Sequence, residues 1–243
     1  MARPDGRFFT ERPLTITRRA FCERTAALML AGTALTTIAP LFDALPAQAQ
    51  DVSLVELGVA GPMGDMVLGD EKAPVTIIEY ASMTCSHCAH FQKTTFPELK
   101  KRYIDTGKVR YILREFPLDP VAAAAFMLAR CSAQTGDKRD PAKYYMVVDT
   151  FFETQSTWAF VPKPSDVLPN MKKVAKQIGF TDESFDACLK NQPVLDSIEK
   201  VRRRGVDTFK VDSTPTFFIN GKRQAGDMPI DELAKLIDAQ IKG

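Results

Sequence analysis

The chain is poor in histidine, cysteine and net charge: its 243 residues hold two His and five Cys, and the formal charge at pH 7 is +2. It also lacks internal repeats, low-complexity tracts and any apolar run long and pure enough to span a membrane as a stable helix. Each shortage excludes something. A nearly neutral chain has no electrostatic footprint for nucleic acid. Ordinary apolar content at this length lets one good core form without disulfides as scaffolding. A structural zinc site needs a second closely spaced ligand pair, and beyond one Cys-x-x-Cys the downstream cysteines, Cys131 and Cys188, stand far apart.

The first 49 residues read as an export signal rather than as fold. Six arginines precede or abut the diluted apolar stretch "TAALMLAGTALTTIAPLF", and in "ALPAQAQ" Ala47 and Ala49 form a small-x-small cleavage site. The mature chain is therefore expected to start near Gln50, with Cys22 removed. Within the leader, "TRRAFCE" has the paired Arg18 and Arg19 and the Phe21 of a twin-arginine signal, although Glu23 stands where a Lys is usual. A general secretory signal is the alternative, and either route leads to a periplasmic location. Cleavage would remove six of the 32 basic and four of the 30 acidic side chains, leaving 26 of each.

After a Gly-rich start, "APVTIIEYAS" is an apolar, β-branched run suited to a central parallel strand buried on both faces. A helical segment follows, with Pro97 expected to kink or break it and Gly107 to end it, and "KVRYILREF" returns as a second strand of a βαβ unit. Residues 119–205 change character to a run of helical patterns, with Gly179 and Gly205 as C-terminal stops. The aromatic and Met residues of this block read as core. Strand chemistry resumes in "TPTFFINGKRQAG", where Asn220-Gly221 is a hairpin signal, and an amphipathic helix closes the chain. The class is α/β.

Both histidines of the chain lie within three residues of the Cys-x-x-Cys pair, in "YASMTCSHCAHF". Such a knot can grip a metal, move electrons as a dithiol and disulfide, or simply pack. Cys85 falls at the N-terminus of the helix, where unpaired N–H groups and the macrodipole favour an anion. His87 can add charge or a hydrogen bond to the same sulfur, which makes Cys85 the candidate nucleophile and Cys88 its partner. Glu79 is costly inside an apolar strand, since an unpaired buried carboxylate is desolvated and its pKa rises. It either relays protons or points to water from an edge-like strand. His90 reads as a structural residue of the first helical turn.

A dithiol at the junction of the first buried strand and its helix is where a thioredoxin-like redox site sits. With Glu79 six residues ahead of "CSHC", a helical insertion, and "STPT" at 213–216 before a strand, the sequence from about residue 67 onward resembles the DsbA family of bacterial thiol oxidases. The resemblance implies a thioredoxin-like fold with an inserted helical domain: residues 50–118 and 206–243 as the two parts of the first, 119–205 as the insert. It implies that Cys85 and Cys88 are the redox pair, that Glu79 is the acid serving the inner cysteine, and that His87 marks the oxidase and isomerase pattern. Ser86 stands where Pro is familiar. Thr214, before a Pro215 expected to be cis, would pair with an extended substrate segment. Cys131 and Cys188 are either two inert buried thiols or, in an oxidising compartment and as in some family members, a structural disulfide. No cofactor or metal is implied. The partners would be reduced secreted proteins and a DsbB-like membrane quinone reductase, with the protein itself a monomer.

Two rivals remain. A disulfide isomerase or reductase could use the same fold, although such isomerases usually bring an N-terminal dimerisation domain and the two dozen residues before Pro74 are too few for one. A metal-carrying binding protein would use Cys85, Cys88 and His90.

Overall fold

The run "VTIIEYA" forms the central strand of a five-stranded sheet in the computed structural model, which describes residues 52–135 and 138–242. The expected export signal and its cleavage site lie outside the described residues. Helix α1 (Leu54–Gly58) and the short strand β1 (Val67–Leu68) precede the central strand β2 (Val75–Ala81). Helix α2 (Ser86–Thr94) begins at Cys85 and is broken at Thr95, because Pro97 in α3 (Phe96–Leu99) has no N–H to continue the ladder. A π-helical turn over Lys100–Ile104 and Gly107, at φ 73°, then turn the chain into β3 (Val109–Glu115). β3 lies parallel to β2, with Ile78 opposite Ile112.

The helical block comprises α4 (Pro120–Ala133), a small antiparallel pair β4 (Gln134–Thr135) and β5 (Lys138–Arg139), α5 (Pro141–Glu153), α6 (Gln155–Trp158), α7 (Val167–Gln177), α8 (Asp182–Leu189) and α9 (Gln192–Asp207). The side chains of Asp119, Asp140, Thr181 and Asn191 cap α4, α5, α8 and α9 by accepting from backbone N–H groups of the first turn. β6 (Thr216–Ile219) and β7 (Lys222–Ala225) form the hairpin, with Asn220 and Gly221 at φ 44° and 84°, and α10 (Ile230–Ile241) follows. The strand order is β1-β3-β2-β6-β7, parallel only between β2 and β3. No helix among the described residues is long and apolar enough to cross a membrane.

One core runs from the sheet into the helical block: Phe91, Tyr111 and Phe217 belong to the same buried cluster as Phe126, Tyr144, Phe151 and Trp158. A smaller core covers the other face of the sheet, joining Ile78, Tyr80, Ile112 and Phe116 to Val201 of α9 and to Phe209 and Phe218. This second core corrects the reading of Gly205 as a helix stop, because α9 continues through it to Asp207. A Cβ at position 205 would stand 3.0 Å from the Tyr80 ring and 3.2 Å from that of Phe116. Glycine is there so that the helix can lie against the sheet. One buried ion pair, Arg130 of α4 to Glu115 of β3, joins helix to sheet, and Tyr144 also donates to Glu115 at 2.8 Å; a second, Arg114 to Asp65, ties β3 to the segment before β1.

Cys131 of α4 and Cys188 of α8 form a disulfide, with Cα atoms 6.1 Å apart. The bond clamps two helices that already pack together, and its loop of 57 residues restricts the unfolded chain. Replacing both cysteines with Ser should lower stability by about 4 kcal/mol, less any relaxation of the unfolded state. Urea unfolding of the double variant beside the parent measures it, and equal midpoints would show that the loop contributes nothing.

Candidate active site

Cys85 is the N-cap of α2, and the backbone N–H of Cys88 donates to its Sγ at 3.4 Å. Its own thiol donates to the carbonyl oxygen of Thr214 at 3.2 Å, a contact across 129 positions of sequence. The Thr214-Pro215 peptide is cis. Thr214 Oγ1 is buried and has no other partner among the described residues, so it can turn its O–H toward the sulfur once that is a thiolate. The loop carrying Cys85 is held from below by buried Gln155, which donates to the carbonyls of Met83 at 2.8 Å and Cys85 at 3.0 Å. From the side, Thr84 donates to Asp119 at 2.6 Å.

These contacts separate the two sulfurs chemically. Both are reduced thiols in this structure. Cys85 is drawn down to about 5, chiefly because the Cys88 thiol donates to it; burial opposes this, and Thr214 and the backbone N–H groups of Cys88 and His87 add to it. Cys88 is fully buried, and burial first, then its bond to Cys85 and the charge of Glu79, push its pKa well up. At neutral pH Cys85 is a thiolate and Cys88 a thiol.

Glu79 is buried in β2, not at an edge, and burial raises its carboxyl to about 8 despite the hydrogen bond donated by the Tyr111 hydroxyl. The charges of Cys85 and Asp227 push in the same upward direction as burial. Near neutrality Glu79 therefore holds a proton beside Cys88. Tyr111 was not legible as a site residue. Its Cα partner on β2 is Ile77, so only the strand register reveals that it lies diagonally across from Glu79.

The His87 imidazole stands apart from the hydrogen bonds at the sulfur. Its side chain is exposed and makes no hydrogen bond or ion pair with a described residue, so His87 serves Cys85 through its backbone N–H. Ser86 is also exposed, as the first helical residue after Cys85. His90 is exposed and pairs with Asp227. Among the described residues no three His, Cys, Asp or Glu side chains come together as a metal site.

The Thioredoxin family model matches residues 62–239. A provisionally named protein-disulfide oxidoreductase of Rickettsia felis is 33% identical over 178 residues, 73% of this chain and 60% of that protein. The chain thus spans about three fifths of the length of such relatives. Among solved structures, Wolbachia pipientis α-DsbA1 is 29% identical with a TM-score of 0.68, covering 77% of this chain and 95% of that one. Bacillus subtilis BdbD shares the fold at 22% identity and a TM-score of 0.63, covering 74% and 94%.

The raised carboxyl of Glu79 makes a signed prediction. Stability contributed by a group whose pKa rises on folding is complete below its unfolded value, here 4.5, and is lost as pH rises through about 8. Glu79→Gln should therefore gain stability relative to the parent between pH 5 and pH 8, with the reduced forms compared by thermal melting. A constant difference across that window would show that Glu79 is already ionised in the fold.

Proposed function

As the chain belongs to the thioredoxin family, in its DsbA branch, we propose that it is a periplasmic thiol:disulfide oxidoreductase that introduces disulfides into exported proteins. The observation that carries this reading is the split between the two sulfurs. A thiolate held by Cys88, Thr214 and two backbone N–H groups stabilises the reduced protein, and the disulfide cannot use those interactions. The oxidised protein is accordingly the less stable partner and gives its disulfide away.

In the reaction a substrate thiolate attacks Cys85 Sγ of the Cys85–Cys88 disulfide. The new bond joins substrate sulfur to Cys85, the old bond breaks, and its electron pair leaves on Cys88. Glu79, protonated beside it, supplies the proton. A second substrate thiolate then attacks the substrate's own sulfur and releases Cys85 as the stabilised thiolate. The Thr214 carbonyl, already within reach of Cys85, positions the substrate backbone, and Pro215, the next residue, shapes the wall beside it. Reduced secreted proteins are the substrates and a DsbB-like membrane quinone reductase the reoxidant, with the protein acting as a monomer. The leader pattern of residues 1–49 and the Cys131–Cys188 bond support an oxidising compartment.

Equilibration with glutathione tests the assignment. An oxidase should have a potential nearer to about −120 mV than to the about −270 mV of thioredoxin, and its reduced form should melt higher. Because the Cys85 pKa is lowered on folding, that advantage should shrink as pH falls through about 5. A thioredoxin-like potential, with the oxidised form melting higher, would assign the protein to the reductases. Pro215→Ala should in addition accumulate mixed disulfides at Cys85, visible on non-reducing gels. Parental turnover with no trapped species would remove Pro215 from the substrate site.

A further inference from the structure

A groove of about 590 Å³ opens between α4, the end of α8 and α9, and the reaction above makes no use of it. Ala123, Ala124 and Met127 of α4, Leu189 of α8 and Leu195 of α9 give it an apolar floor, and Leu118, 52% exposed, stands at its lip. Leu189 directly follows Cys188, which the disulfide to Cys131 fixes against α4. The groove is therefore formed before any ligand arrives, which removes part of the ordering cost of binding.

Its position and its charge say what belongs in it. Asp119 lines the groove and accepts from the hydroxyl of Thr84, the residue before Cys85, at 2.6 Å, and the N–H of Leu118 donates to Ser82 at 3.2 Å. The groove thus begins at the cysteine loop. An extended chain advances about 3.3 Å per residue, so a peptide joined to Cys85 through its own cysteine enters the groove within a few residues. At the mouth, Arg202 is held in place by the Pro117 carbonyl, which accepts from its Nε at 2.9 Å, and by the Phe116 ring, whose centroid lies 5.4 Å from Cζ. Neither Arg202 nor Arg203 beside it forms an ion pair with a described residue. Asp119 already uses its two oxygens on Thr84 and on the N–H of Ala122, so Glu199 is the one free carboxylate on the rim, and the balance there is positive. An arginine oriented in advance loses little freedom when it takes a carboxylate.

We propose that this groove selects the substrates of the oxidase described above: exported segments that carry, a few residues from the reacting cysteine, an apolar side chain for the floor and an acidic one for Arg202 and Arg203. The inference rests on the reading of Cys85 as the exchanging thiol. No bond is made or broken in the groove. It holds the substrate while exchange proceeds at the sulfur, and so raises the rate at low substrate concentration.

The test uses single-turnover reduction of the oxidised protein by dithiol peptides identical but for two residues placed a few positions from the cysteines: Leu-Glu, Leu-Gln, Leu-Lys or Ser-Gln. Each rate is divided by that of dithiothreitol on the same protein. If neither dithiothreitol nor any peptide reduces the Cys85–Cys88 pair, the thiol-exchange reading itself fails. Where exchange occurs, Leu-Gln should react about tenfold faster than Ser-Gln, as expected for partial burial of a leucine side chain. Leu-Glu should be about threefold faster again, the size of an exposed ion pair, and that second gain should vanish in about 1 M salt while the first persists. Ala124→Trp, which fills the groove, should abolish the preference for Leu. The double variant Arg202→Glu, Arg203→Glu should prefer Leu-Lys to Leu-Glu, an inversion that misfolding cannot produce. Equal rates for all four peptides on the parent overturn the proposal, as does an unchanged order on the charge-reversed variant. So does a parent that sediments as a dimer beside a monomeric Ala124→Trp, because a second copy of the chain would then fill the groove.

Discussion

The close approach of Thr214 to the Cys85 sulfur is the constraint that the rest of the molecule serves. It joins residues 129 positions apart, the N-cap of α2 on one side and the residue before Pro215 on the other. Holding them together requires β6 to pair antiparallel with β2, so that Thr216 lands opposite Tyr80, just before the cysteine loop. It also requires α9 to approach the sheet closely enough to deliver the chain to Thr214, and Gly205 against Tyr80 and Phe116 permits that approach. Gln155 and Asp119 then pin the cysteine loop from two further elements. A cysteine at a helix terminus alone would have the dipole and the N–H groups; the far-side contact makes it part of a substrate surface.

Burial is used twice with opposite results. Cys85, at the rim, has enough donors to overcome its desolvation, whereas Cys88 and Glu79, one layer deeper, do not. A shallow thiolate above two protonated deep groups is a gradient of proton affinity built from depth and hydrogen bonding, and it sets the direction in which the disulfide opens. The helical block contributes by walling off the deep layer, since Trp158, Phe151 and Tyr144 share one core with Phe91 and Tyr111. Its Arg130 pairs with Glu115 of β3 on the seam between sheet and helices, while Arg114 of β3 pairs with Asp65, and each guanidinium also reaches backbone carbonyls of the segment before β1. Such pairs are costly to break singly, so the Arg130–Glu115 pair favours one registry of the insert on the sheet.

The sequence by itself determined whatever depends on neighbours a few positions apart. The β-branched apolar run in "VTIIEYA", the helical patterns of residues 119–205, the Asn220-Gly221 turn and the Cys-x-x-Cys at a strand–helix junction are all local statements, and the resemblance to a known family rested on motifs of that kind. Glu79 was visible for the same reason, as a carboxylate out of place in an apolar run. Tertiary structure decided the rest. Tyr111 meets Glu79 through a register between strands; Gly205 is a packing glycine because Tyr80 faces it from another element; His87 points to water and His90 to Asp227 because the helix face that carries Cys88 must turn toward the sheet. Those outcomes depend on which surfaces meet across gaps of 32 to 137 residues. Composition and spacing carry no record of such meetings, because a side chain acquires its partner only when the elements around it have docked.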